Sequence, residues 1–341
     1  MNERNENRMP RHKLGSSGLQ VTPIGLGLAA LGRPGYINLG HAKDLDDTSV
    51  AAMEAHAHEM LDEAWRLGIR YFDAARSYGR AEAFLGSWLK SRKIEPGEVT
   101  VGSKWGYTYT AEWKIDLPEG QQHEVKEHSL KVLNRQIAES RFHLGDYLNL
   151  YQIHSATLAS KVLENQPVLA ELARLRDAGL SIGFTVSGEN QAETIWRALE
   201  ISFGGRLLFA TVQVTWNLLE TSTTEALQAA SQAGLGVIVK EALANGRLTP
   251  RNQSPEFKSQ MAILEQQAQR QGTTIDALAL AACLNQPFVG LVLSGAAQVD
   301  HLDSNLKALQ VAWDDSLMEA LQVLREPADV YWARRSQLTW N

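Results

Sequence analysis

Eight short apolar runs alternate with segments of helical periodicity along the 341 residues, and that alternation restricts the fold more than anything else in the chain. The runs lie at 23–32, 69–73, 99–104, 148–154, 180–187, 209–215, 236–240 and 288–294. Between them, residues 48–67 place Met53, Ala57, Met60, Leu61, Ala64 and Trp65 at helical spacing, and Phe84, Leu85, Trp88 and Leu89 stripe a second helix. Further helices are expected at 124–144, 170–178, 192–202, 224–233, 261–271, 275–284 and 299–309, with one more at 316–325. Alternation of this kind implies parallel βαβ units. Eight of them in roughly 300 residues close into a barrel more readily than they spread into an open sheet. The expected fold is therefore α/β, a (β/α)8 TIM barrel. A small β-hairpin over 13–23 precedes it, where Gly15, Ser16, Ser17 and Gly18 supply a turn, and a helical extension follows it. Residues 1–12 read as a flexible tail and 13–341 as one domain.

Composition narrows the function classes. A net charge of -6 without a long basic run argues against nucleic acid or an anionic membrane as partner. The polar start lacks a signal peptide's apolar core, and no apolar run nears the roughly 20 residues of a membrane helix. The single cysteine, Cys283, lies in an apolar run and has no partner for an internal disulfide. A cytoplasmic protein is expected.

Four ionisable groups stand at or just beyond strand ends. Asp73 ends the second run, Tyr78 follows it in a loop, Lys104 ends the third run and His154 the fourth. In a parallel barrel all four meet at the C-terminal face, where such barrels keep their chemistry. Two other features carry less. Gly25, Gly27 and Gly32 do not match a dinucleotide fingerprint and read as positions of close backbone approach. His56 and His58 point about 200° apart on a helix, so with Glu59 they read as a solvated face, and no metal is expected.

From Lys13 to about Leu309 the chain resembles the aldo-keto reductases. The resemblance rests on residues 12–27, on Phe72-Asp-Ala-Ala-Arg-Ser-Tyr-Gly79, on Ser103-Lys104, on residues 144–154 ending Tyr-Gln-Ile-His154, and on Ser294-Gly-Ala followed by Asn305. It implies carbonyl reduction, or its reverse, with a nicotinamide cofactor and a small carbonyl or alcohol substrate. The catalytic tetrad carries over to Asp73, Tyr78, Lys104 and His154. Hydride addition builds charge on the carbonyl oxygen, so a proton donor is needed. Tyr78 takes that role as general acid, with Lys104 lowering its pKa, Asp73 anchoring the lysine and His154 orienting the carbonyl. Two other readings remain open: a Schiff-base lyase or aldolase using Lys104, and a non-catalytic cofactor-sensing barrel.

The same resemblance assigns the cofactor. Thr185 and Gln213 would hold the nicotinamide amide. The loop carrying Ala242, Leu243, Gly246 and Leu248 would cover the pyrophosphate. Ser294, Gly295, Ala296, Gln298 and Asn305 would surround the adenosine end. NADP(H) is favoured by family habit and NAD(H) is possible, since no basic residue stands at Gly295, Ala297 or Gln298. Arg247 and Arg270 are candidates for a 2′-phosphate, with His301 a weaker substitute. The seventh run ends Lys240-Glu241-Ala242 where an aromatic and a proline are usual. Trp105, Tyr107, Trp113 and Trp216 are the expected substrate walls. The segment 330–335 is expected either over the mouth or against the outside of the barrel. Oligomeric state is not legible.

Overall fold

The computed structural model describes residues 9–341. Eight parallel strands close in sequence order: β1 Ile24–Gly27, β2 Tyr71–Asp73, β3 Thr100–Trp105, β4 Leu148–Ala156, β5 Ser181–Val186, β6 Thr211–Thr215, β7 Gly236–Lys240 and β8 Leu291–Ser294. Helices return the chain along the outside: α1 Val50–Arg66, α2 Ala81–Ser91, α3 Leu130–Leu144, α4 Gln166–Asp177, α5 Gln191–Leu199, α6 Thr224–Gln232, α7 Lys258–Arg270, α8 Ile275–Leu284 and α9 Val299–Leu306. This is the (β/α)8 barrel the alternation implies.

A two-stranded hairpin, His12–Lys13 with Gln20–Val21, closes the N-terminal end of the barrel. It delivers Leu14 and Val21 to Tyr71, Leu150, Ile238 and Leu291, a cluster inside the strand ring. Of the tail expected over 1–12, residues 1–8 lie outside the described residues. Met9 packs on the core, and His12 bonds the Gly290 carbonyl at 2.6 Å. No helix among the described residues is long and apolar enough to cross a membrane.

Two differences from the sequence reading shape the site. The helix expected from 124 begins at Leu130, because Ser129 caps it by accepting from Val132 N–H. Residues Glu124–Lys126 instead pair with Tyr107–Tyr109 as an antiparallel ribbon standing over the barrel mouth. At the other end, α10 Asp315–Leu321 is followed by α11 Ala328–Ser336, which buries Tyr331 against Leu219, Leu248 and Phe257. The chain then returns across the mouth, where the Asn341 and Tyr36 backbones exchange two hydrogen bonds at 3.1 Å.

Candidate active site

Asp73 and Tyr71 are two residues apart on β2, so both point inside the ring. Gly102 on β3 makes room for Tyr71: a Cβ there would lie 2.5 Å from its hydroxyl. That hydroxyl donates to Asp73 Oδ2 at 3.2 Å, and Gln213 Nε2 donates to the same oxygen at 3.0 Å. Asp73 Oδ1 receives Lys104 Nζ, which also donates to the Ala74 carbonyl at 2.9 Å. Lys104 is wholly buried. A lysine ammonium is tolerated there because its charge is paired and its donors are used.

Tyr78 is carried over this pair by the loop after β2. Gly32 lets that loop approach closely, since a Cβ at Gly32 would lie 2.2 Å from the Tyr78 carbonyl oxygen. The phenol ring stands 4.7 Å from Lys104 Nζ and 5.3 Å from the Arg33 guanidinium. His154 meets it edge-on, with ring centroids 5.6 Å apart. Tyr107 covers the imidazole from the other side at 4.9 Å, and Ser77 Oγ lies 3.4 Å from its Nδ1. The four strand-end residues expected to meet therefore do meet.

The electrostatics differ from the sequence expectation in one respect. Lys104 was expected to lower the Tyr78 pKa. Burial instead pushes the phenol well above its ordinary value, with Asp73 adding to the rise and Arg33 opposing it. The ion pair with Asp73 spends the ammonium's charge locally, so Tyr78 stays protonated. His154 is driven far below the ordinary imidazole range by burial, then by Lys104, Lys240 and Arg33, and is neutral.

A cleft of about 1080 Å³ opens above these residues. Asp73, Tyr78, Tyr107, His154 and Gln213 line one end; Ser294, Gly295, Ala296 and Asn305 line the other, with Ala242, Leu243 and Gly246 between them. A Cβ at Gly295 would meet nothing within 4 Å, so the backbone there is open to a ligand. The Asn305 amide is held at both ends, its oxygen 2.8 Å from Ser294 Oγ and its nitrogen 3.0 Å from Asp276 Oδ2.

Several expected contacts lie elsewhere. Thr185 Oγ1 is buried and accepts from Ser155 N–H at 2.7 Å, fixing the residue after His154 rather than facing the cleft. Ser187 lines the cleft instead. Leu248 is wholly buried among Leu218, Leu219 and Ala244. Gln298 turns its amide to the Asp44 carbonyl. Arg247 is committed to Glu326 at 2.6 Å, and Arg270 bonds Gln267 at 3.1 Å; neither lines the cleft.

Three of the four expected substrate walls also turn away. Trp105 is wholly buried, its ring against His128. Trp113 donates to the Thr48 carbonyl at 2.6 Å and packs against Phe84. Trp216 donates to Thr224 Oγ1 at 3.0 Å and faces Phe288. The indoles of Trp113 and Trp216 find their hydrogen bonds, and all three rings their apolar neighbours, away from the mouth.

Tyr107 does line the cleft, and with it stand Tyr36 and Trp340, which the sequence reading passed over. Trp340 stacks on His123 at 4.1 Å and covers the Arg33 guanidinium at 4.5 Å. The segment after α11 thus folds over the mouth. Arg335 reaches Glu241 at 2.5 Å, and Thr215 Oγ1 links Glu241 (3.1 Å) to Lys240 (2.7 Å). Burial works to raise Glu241, but Arg335 and then Lys240 outweigh it and hold the carboxyl at about 2.

The comparisons with known proteins agree with this fold. A model of the Aldo/keto reductase family matches residues 23–326, and the chain belongs to that family. It is 24% identical to an uncharacterized oxidoreductase, YqkF, of Bacillus subtilis, over 96% of this chain and all of that one. It is 23% identical to an L-galactose dehydrogenase of Arabidopsis thaliana, over 96% and 95%. It is 28% identical to a pyridoxal 4-dehydrogenase of Microbacterium luteolum, over 72% and 75%. In fold it is similar to an aldo-keto reductase of Bacillus halodurans in its holo form, with a TM-score of 0.71 and 22% identity, covering 94% of this chain and 98% of that one. The family and these relatives mark the chain as an oxidoreductase, with carbonyl reduction as its general chemistry.

Proposed function

We propose that this protein reduces an aldehyde or ketone to the alcohol, or runs the reverse, with a nicotinamide dinucleotide held along the cleft. The observation that carries the reading is the meeting of Tyr78, Lys104, Asp73 and His154 beneath one elongated cleft. Tyr78 is the general acid: its phenol remains protonated, so it can give its proton to the carbonyl oxygen as charge develops there. Arg33, 5.3 Å from the ring, favours the phenolate left behind, while Asp73 holds Lys104 Nζ 4.7 Å from the same ring. The neutral imidazole of His154 orients the carbonyl by hydrogen bonding and does not compete as acid. Tyr36, Tyr107 and Trp340 keep water from the reacting atoms.

The cleft's length and the open backbone at Gly295 suit a dinucleotide, held by Gln213, the 242–246 loop and Ser294 to Asn305. When bound, it supplies the hydride. The charges at the far end favour NAD(H) over the NADP(H) of family habit. The cation there, Arg251, is already paired with Asp44 at 2.8 Å, beside His301 at 3.2 Å, and Asp276 and Asp300 line the same end. A 2′-phosphate wants an uncommitted Arg or Lys.

Fluorescence titration of the stripped protein with NADH and NADPH, together with turnover of an aldehyde panel, tests both statements. Tighter NADH binding with turnover is expected. Tighter NADPH binding that Arg251→Met weakens by about tenfold would reassign the cofactor and make Arg251 its phosphate ligand. Binding of neither would overturn the nicotinamide mechanism. The imine chemistry open to Lys104 on sequence grounds is not favoured, because its Nζ is buried and spent on Asp73 and Ala74.

A further inference from the structure

Most cations lining the cleft are matched by a carboxylate: Arg33 by Glu124, Arg251 by Asp44 and Arg335 by Glu241. Lys240 is not. It ends β7 beside Thr215 of β6, lines the cleft and is partly exposed to it. Its Nζ donates to Thr215 Oγ1 at 2.7 Å and makes no ion pair among the described residues. The one other unpaired lysine of the cleft, Lys126, lies on the exposed ribbon at the rim, 5.7 Å from the Tyr107 ring.

An amine attacks a carbonyl only as the free base. Burial pushes Lys240 down to about 8; Arg335 and Lys104 push the same way, and Glu241 and Asp73 oppose them. Roughly a tenth of such a lysine is neutral at pH 7, far more than of a solvent-exposed one. The Thr215 hydroxyl fixes the nitrogen, and Glu241, which that hydroxyl also bonds at 3.1 Å, is paired with Arg335 and not directly with Lys240. Lys104 has the opposite surroundings: a carboxylate partner, no exposure and no place on the cleft wall.

We propose that Lys240 is a carbonyl-reactive amine, and that aldehydes entering the cleft condense with its Nζ to a reversible imine. The nitrogen lone pair attacks the carbonyl carbon, and a proton passes from nitrogen to oxygen to give a carbinolamine. Loss of the hydroxyl with the remaining N–H proton, as water, leaves the C=N bond. No electrons are transferred, and hydrolysis restores both partners. Aldehydes therefore have a second reaction in this cleft besides any reduction, and the imine holds them on its wall.

The test is to treat the full chain with benzaldehyde and sodium cyanoborohydride, which reduces the imine to a stable secondary amine, and to locate the adduct by peptide mass spectrometry. Lys240 is expected to label about tenfold faster than exposed lysines at pH 7, and the ratio should shrink as the pH rises above 8. Lys240→Met should lose that adduct while the remaining lysines label as before. Lys126→Met, a change on the exposed ribbon, should retain it, which separates the two unpaired lysines of the cleft. Label confined to Lys126 and surface lysines, or a Lys240 that reacts no faster than these, overturns the proposal. The adduct forms without hydride transfer from any cofactor, so this result and the redox assays fail independently.

Discussion

The two ends of the cleft are built differently. At the Tyr78 end, Asp73, Lys104 and His154 come from three consecutive strands whose register is fixed by parallel pairing. Along the rest of the cleft the lining comes from loops after β7 and β8, where Glu241, Ala244 and Asn245 adopt left-handed backbone and Leu39 N–H bonds the Asn245 carbonyl at 3.0 Å. Strand ends place a side chain to within the tolerance that proton transfer needs; loops place a surface that can follow a ligand. The same difference explains why Asp73, Lys104 and His154 met as expected while the loop residues Leu248 and Gln298 did not reach the cleft.

Three substitutions break or sharpen that contrast, from the largest effect to the smallest. Tyr78→Phe removes one hydroxyl at the rigid end. It should lower kcat by about 10²–10⁴ while leaving dinucleotide affinity in a fluorescence titration within a few-fold. If turnover survives, Tyr78 is not the acid.

Lys104→Met strands the Asp73 carboxylate in the barrel interior. Thermal or denaturant unfolding should show a loss of about 3–5 kcal/mol, and adding Asp73→Asn should recover part of it. Equal stability of the single and double variants would mean the pair does not act as a unit.

Thr185→Ala should lose about 1 kcal/mol of stability as the Ser155 N–H loses its acceptor. It should reduce kcat through His154 more than it weakens NADH binding. The reverse pattern would return Thr185 to the cofactor contact that the sequence suggested.

Tyr71 shows how much more was within reach. Its place two residues before Asp73 on a strand puts it on the same face, so its bond to the carboxylate follows from strand periodicity alone. Trp105, Trp113 and Trp216 teach the converse. An aromatic near a strand end is equally suited to the mouth and to the packing behind it, and only the position of Thr48, Thr224 or His128 decides which. The ribbon of Tyr107–Tyr109 with Glu124–Lys126 was hidden because its two strands are separated by a long loop, and each is too short to show a period.

The sequence by itself determined the barrel, the order of its strands and the convergence of Asp73, Tyr78, Lys104 and His154. Each follows from local periodicity combined with the one way that parallel βαβ units close. Tertiary structure alone decided which lysine is sealed and which is open. Lys104 and Lys240 both end apolar strands, and nothing local separates them. Asp73, brought from the neighbouring strand, takes up the charge of the first, whereas Thr215 beside the second offers only a hydroxyl. The covering of the mouth by Trp340 was decided in the same way, because a contact between residues some three hundred positions apart depends on where the barrel's ends meet and leaves no trace in the chain between them.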